Sequence, residues 1–447
     1  MGSEVRLAEG VSRSKMLRKN ILFSGILKAI GLCTSFLIVP VTLNYLDNEP
    51  YGLWMTISSM AFWIFTFDIG LGNGMRNYLT SAISNHDEQL AQTHISSTFA
   101  MLTLLAVVMA LIAVPLVLTL DFRSLLKTNS MDNSSLQFII LVALILTLVN
   151  FVVKNIGFIF VAMQKYAVND LLTVGGNVAA LILIFILTKF TEGNLLNVVA
   201  VFMAMPVAVF VLGGIPLFAR HPQLRPRVKS IDMKYCKTIA CKGLGFFFIQ
   251  VTSCLVIFGG SNVLISHFLG PESVTTYNIA YKYFYLLMIG YTVVIAPMWN
   301  AYTDAQVKGD WQWIRHMFRK AMLMWGGTVL VGLVMLLLCN VFYQLWVGDA
   351  VSVPFSVSVS VMFFIAAFNL NNCVTYLLNG LNTIRVQIYT SVITTFAYLG
   401  VLSVFGHSWG IEGIVNCMSV CYFTMSMIHL YQCHLLINQK ASGIWSK

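Results

Sequence analysis

Charge is what this sequence has least of: 17 acidic and 27 basic residues among 447, only 10% of the chain. A water-soluble domain carries about a quarter. Together with 58% hydrophobic residues and a mean hydropathy of +0.80, that scarcity excludes a soluble fold. Recognisable chemistry is equally scarce. The eight histidines are scattered, and no HExxH, no Gly-rich loop closing on Gly-Lys-Ser/Thr, no Ser-His-Asp grouping and no carboxylate pair occurs, so zincins, ATP-driven pumps and hydrolases have nothing to work with. We expect no enzyme, no catalytic residue, no cofactor and no metal site. The nine cysteines include only two close pairs, Cys236/Cys241 and Cys417/Cys421, neither with a histidine beside it. They read as small buried residues rather than ligands or disulfides.

What is abundant is long apolar sequence. A helix needs about 20 apolar residues to cross a bilayer, and twelve windows qualify, at roughly 20–45, 51–72, 95–119, 136–160, 169–189, 195–219, 239–268, 274–297, 321–347, 354–380, 385–406 and 411–436. Runs this continuous fit helices rather than the short alternating strands of a barrel. The fold class is therefore all-α, a polytopic membrane protein. The first run has no small-residue cleavage pattern behind it and is expected to be an uncleaved spanning helix.

Lys and Arg set the orientation. Of the 27, 21 fall in the termini and even-numbered loops, counting Lys242 at the edge of the seventh span with the loop it borders, three in odd-numbered loops and three deep inside spans. Both termini are expected in the cytoplasm. The net charge of +10 then reports topology and membrane lipids as partners, with no nucleic acid. The longest and most basic loop, RHPQLRPRVKSIDMKYCK at 220–237, separates six spans from six. This predicts an N-terminal bundle at 1–219, a cytoplasmic linker at 220–238 and a C-terminal bundle at 239–447. A shift of 223 positions lays LDNEPYG (46–52) on LGPESVT (269–275), and Asn77, Thr80, Ala82 and Asp87 on Asn300, Thr303, Ala305 and Asp310. Six spans per repeat place the pseudo-twofold along the membrane normal, with a central cavity between bundles that rock open to either face.

Four charged residues, Lys28, Asp68, Lys154 and Lys282, lie inside these runs. A charge near mid-bilayer costs about 2.5–3.5 kcal/mol on insertion scales, so it faces a partner or water. Three lysines against one aspartate favour an anionic cargo; a snorkelling lysine or an Asp68 pair with Lys28 or Arg76 are the structural alternatives. Tyr281 and Tyr285, beside Lys282, lie deep enough to be expected at the cavity rather than in an interfacial aromatic belt. Asn369, Asn371, Asn372, Thr375 and Asn379 of the tenth span are too many polar groups for a lipid-facing surface and are expected to face the other bundle or the cavity. WQWIRHMFRK (311–320) has the makeup of an amphipathic segment lying along the inner leaflet.

The stretch YLDNEPYGLWMTISSMAFWIFTFDIGLGNGMRNYLTSAI, leaving the second span through D-I-G-L-G-N-G-M-R, resembles the Wzx-type lipid-linked oligosaccharide flippases. These form the polysaccharide transporter branch of the multidrug/oligosaccharidyl-lipid/polysaccharide exporter superfamily, and the two-by-six layout extends the similarity along the chain. The resemblance implies a bacterial inner-membrane flippase that carries undecaprenyl-diphosphate-linked repeat units to the periplasmic leaflet for O-antigen assembly. It also implies drive by a proton or sodium gradient and work alongside other polysaccharide-assembly membrane proteins. On that reading Lys28, Lys154 and Arg76 meet the diphosphate from inside, Lys282 holds it outside, and Asp68 is an ion-coupling site or a structural pair. A cation-coupled multidrug antiporter shares the topology but calls for an acidic cavity. A membrane glycosyltransferase or O-antigen polymerase needs larger outer loops than 120–135 supplies.

Overall fold

The computed structural model describes residues 2–66, 71–237 and 260–446. Every regular element there is helical: α1 (Gly2–Leu46), α2 (Asn48–Thr66), α3 (Leu71–Ser84), α4 (Glu88–Thr119), α5 (Phe122–Leu125), α6 (Asn133–Val153), α7 (Ile156–Ala162), α8 (Tyr166–Phe190) and α9 (Leu195–Arg220). After the linker follow α10 (Ser261–Leu269), α11 (Pro271–Ile295), α12 (Met298–Val307), α13 (Trp311–Val347), α14 (Phe355–Gly380), α15 (Arg385–Phe405) and α16 (Gly410–Ile437), with short 3₁₀ turns between some of them. Among the described residues, ten helices are long and apolar enough to cross a membrane, and each covers one of the twelve expected windows. The expected span 51–72 corresponds to α2, which ends at Thr66. Residues 238–259, most of the expected span 239–268, lie outside the described residues, as does Asp68.

Two compact units emerge. The first comprises Met1–Asp47, Ala61–Arg123 and Asn129–Phe247; the second Asn48–Met60, Ser124–Thr128 and Phe248–Lys447. In the first unit α1 lies along α8, with Gly31 letting the backbones approach to side-chain contact with Val174. A core of Met75, Leu79, Ile95, Ile159, Leu172 and Phe210 joins α3, α4, α7, α8 and α9. In the second unit α14 is the most covered helix, packed by α11, α12, α13 and α16. That accounts for its polar content: Asn369 is buried against protein, its Nδ2 reaching the Leu287 carbonyl at 3.4 Å.

The 223-residue repeat is visible in backbone geometry. Asp47 (φ 66°) and Gly270 (φ 92°) are equivalent left-handed corners, as are His86 (φ 57°) and Gly309 (φ 72°). The amides of Asp87 and Asp310 bond Ala82 and Ala305 carbonyls at 3.0 and 2.9 Å. Each aspartate then caps the next helix, accepting from Leu90 N at 2.8 Å and Trp313 N at 2.9 Å. Because each cap answers one orphan helical amide, Asp87→Ala and Asp310→Ala should each cost about 1 kcal/mol, read as matched drops in thermal unfolding temperature; an asymmetric pair of effects would contradict the equivalence.

One expectation is corrected. WQWIRHMFRK is not a separate surface helix but the first turns of the 37-residue α13. No proline or glycine interrupts the chain from Trp311 until Gly326, so once Asp310 caps the first turn nothing stops the helix from running on. Its amphipathic character survives as a face: Ile314 is buried while Arg315, His316, Arg319 and Lys320 are exposed.

Candidate functional site

Lys154 sits where one span changes its winding. Both Lys154 and Asn155 hold shallow helical angles, with ψ of −22° and −13°. There the ladder tightens: Asn155 N bonds Val152 O at 3.2 Å, Gly157 N bonds Lys154 O at 3.0 Å and Phe158 N bonds Asn155 O at 3.1 Å. These are i to i+3 bonds, the 3₁₀ pattern that marks a hinge or a strained site inside a helix. Such a turn diverts the Asn155 amide and frees the Phe151 carbonyl, which hydrocarbon cannot satisfy. The Asn155 side chain answers it, its Nδ2 donating to Phe151 O at 2.8 Å and also reaching Val152 O at 3.3 Å. Asn155 is fully buried, and its Oδ1 has no hydrogen-bond partner among the described residues.

The turn orients the lysine. The Lys154 ammonium stands 4.2 Å from the centroid of the Phe65 ring, with Phe151 at 5.8 Å. An aromatic face attracts a cation by about 2 kcal/mol when water is excluded, so Phe65, near the end of α2, fixes where the charge sits. Gly72, at the start of α3, closes the arrangement. A Cβ there would fall 2.4 Å from Phe158 Cε2 and 2.6 Å from Asn155 Oδ1, so only glycine lets α3 lie on the tightened turn. The described part of that segment, Leu71–Arg76, and the Lys154 turn are thus neighbours, and Arg76 follows Gly72 by one helical turn, half-buried.

Lys28 is exposed on α1, and the helix's other residues say toward what. At 3.6 residues per turn, Ile26, Ile30 and Leu37 lie about 160–200° around the helix from Lys28. All three are exposed and make the apolar stripe expected against lipid. Leu27, Gly31 and Ile38 form the stripe facing α8. Lys28 shares a third face with Ser35, away from both. In the second unit, Lys282 is half-buried on α11. Tyr277, Tyr281 and Tyr285 form a ladder beside it, with ring centroids 5.7 and 5.5 Å apart. Tyr283 and Tyr291 belong to another face: their hydroxyls donate to Met335 O at 3.0 Å and Ala321 O at 3.2 Å, tying α11 to α13. No carboxylate among the described residues lies within ion-pair distance of Lys28 or Lys282.

The structure therefore brings Lys154 and the Gly72–Arg76 segment together. It places Lys28 on a separate face of α1 in the same unit, and puts Lys282, Tyr281 and Tyr285 on one helix of the second. Sequence reading missed Phe65 and Asn155. The signal available was K-N-I-G at 154–157, an Asn and a Gly interrupting an apolar run directly after the lysine. Gly157 is needed there too, because a Cβ would meet Asn169 Oδ1 at 2.0 Å.

Known proteins share this architecture and sequence. The fold is similar to the inward-facing conformation of a multidrug resistance MATE family transporter of the MOP superfamily, with a TM-score of 0.74 at 14% identity over 94% of this chain and 100% of that one. An outward-facing MATE structure superposes with a TM-score of 0.62, also at 14% identity, over 95% and 97%. Among curated relatives, a protein of Yersinia pseudotuberculosis named for O-antigen export is 23% identical over 63% of this chain and 64% of its own length. A Salmonella typhi protein named as an O-antigen transporter is 23% identical over 66% of each chain. The chain thus spans about two thirds of the length of these relatives. Residues 17–299 match the model of the polysaccharide biosynthesis protein family, which carries the resemblance read from D-I-G-L-G-N-G-M-R across most of the chain, and the protein belongs to that family.

Proposed function

We propose that this protein is a flippase that moves undecaprenyl-diphosphate-linked oligosaccharide repeat units from the cytoplasmic to the periplasmic leaflet by alternating access. The observation that carries the reading is the Lys154 ammonium, held over Phe65 on a tightened turn inside a membrane span and backed by the Gly72–Arg76 segment. A positive charge presented there by a rigid turn is suited to a phosphate, since lysine is a compact point charge whose attraction grows as water is excluded. Lys28 adds a second ammonium on a face of α1 that is neither the lipid stripe nor the α8 contact. Tyr281 and Tyr285 of α11 offer ring faces for sugars beside Lys282. The names of the O-antigen relatives support the same cargo class, and the balance of deep charges disfavours the cationic drugs of an antiporter.

The protein lies in the bacterial inner membrane with both termini cytoplasmic, organised as bundles at 1–219 and 239–447 joined by the linker at 220–238. A proton or sodium gradient drives the cycle, with Asp68 as the candidate coupling residue, and other polysaccharide-assembly proteins consume the product. The test is complementation of a flippase-deficient strain, scored by lipid-linked units retained on the inner leaflet. Lys28→Ala and Lys154→Ala should each cut transport at least about tenfold, the loss of one charge-assisted contact, and the arginine variants should restore most of it. Full activity of both alanine variants would remove the diphosphate reading.

A further inference from the structure

The linker between the halves is folded onto the first unit. Gln92 of α4 brackets it, donating to Arg225 O at 3.1 Å and accepting from Ser230 Oγ at 3.1 Å. Ser96 Oγ accepts from Arg227 N at 2.9 Å and Ser97 Oγ from Asp232 N at 2.8 Å. Leu224, Tyr235 and Cys236 are buried beneath it, and burial pushes the Tyr235 phenol up to about 12. A loop held this firmly presents a defined outer surface.

Its height follows from α4. The apolar part of that helix, Phe99–Leu118, is 20 residues and so about 30 Å long, the thickness of a hydrocarbon core. Gln92, Ser96 and Ser97 stand within about two turns of its inner end, at headgroup level. The outward surface of the linker suits that level. Arg225, Arg227, Lys229, Lys234 and Lys237 are all exposed, against a single acid, Asp232. Between them Val228 and Met233 stand 85% and 76% exposed, which water disfavours and an interface accepts.

We propose that residues 225–237 are a membrane-surface strap that binds anionic phospholipid headgroups of the inner leaflet, with Val228 and Met233 as apolar prongs between the cations. Basic residues at this height are attracted to anionic lipid, and the attraction fades with salt within a Debye length. The strap thereby couples the inner end of α4 to leaflet charge, whatever cargo the protein carries.

The full-length protein is placed in nanodiscs of phosphatidylcholine alone or with about one third phosphatidylglycerol, and amide hydrogen exchange is followed across the linker. Exchange at Val228, Lys229 and Met233 should slow about tenfold in the anionic discs and lose most of that slowing in high salt. The Arg225→Gln/Arg227→Gln/Lys229→Gln/Lys234→Gln variant, with exchange in α4 and α9 unchanged, should exchange equally in both lipids, and Val228→Asp/Met233→Asp should do the same. Equal exchange of the unmodified protein in both lipids would overturn the proposal and leave this face to a protein partner. Slowing that survives the four-cation variant would overturn it as well.

Discussion

A valine at Gly52 is expected to leave little folded protein. The first turn of α2 crosses the first turn of α11 so closely that a Cβ on Gly52 would lie 1.8 Å from the Pro271 carbonyl oxygen and 2.5 Å from its carbon. Both atoms are backbone, so no rotamer change relieves the contact. The helices would have to separate, and the bond from Thr275 Oγ1 to Asn48 O, 2.7 Å long, would break with them. Overpacking against backbone costs about 3 kcal/mol or more, a large share of the 5–15 kcal/mol that keeps a typical domain folded. Gly25, with open space where its Cβ would be, is the control: Gly25→Val should extract and unfold like the unmodified protein. Monodisperse yield in detergent and the unfolding temperature measure both, and a Gly52→Val protein that matched the control would refute the crossing.

Asn155→Leu is expected to do the opposite, sparing the fold while stopping transport. Leucine keeps the branched outline of the amide side chain. It removes a buried Oδ1 that has no partner among the described residues, a relief, together with the bond that answers Phe151 O. That carbonyl recovers a partner if the span winds back into a regular α-helix, which swings Lys154 off Phe65. Misplacing a binding group by about an ångström can cost on the order of a hundredfold in rate. Transport should therefore fall by about that factor while the unfolding temperature stays within a few degrees. Asn155→Asp, which loses a donor but keeps the shape, should unfold sooner because it buries a carboxylate. A fully active Asn155→Leu protein would show that the tightened turn does nothing for the cargo.

The membrane spans were legible because 20 apolar residues in a row leave the backbone one economical solution, and the repeat because left-handed corners and aspartate caps keep their spacing. The winding change at Lys154 was not. A 3.6-residue pattern is silent about where a ladder tightens, and the cause lies on α3, where Gly72 permits the approach. The lysines stood out individually, but the face Lys28 occupies emerges only once α8 is known to cover Leu27 and Gly31. Tyrosine density on α11 was plain; the sorting of Tyr283 and Tyr291 into anchors and Tyr281 and Tyr285 into a ladder required α13 beside them.

The crossing at Gly52 also pairs equivalent positions of the repeat unequally. Asn48 and Pro271 occupy equivalent places in the repeat, as do Gly52 and Thr275, so the pairs 48/275 and 52/271 are the two faces of a single self-matched contact. In a homodimer of identical six-span subunits both faces would carry the same residue: two glycines would forgo the hydroxyl bond, and two threonines would collide with a carbonyl. Within one polypeptide the two positions differ, one small enough to admit its neighbour and the other carrying a donor that grips it.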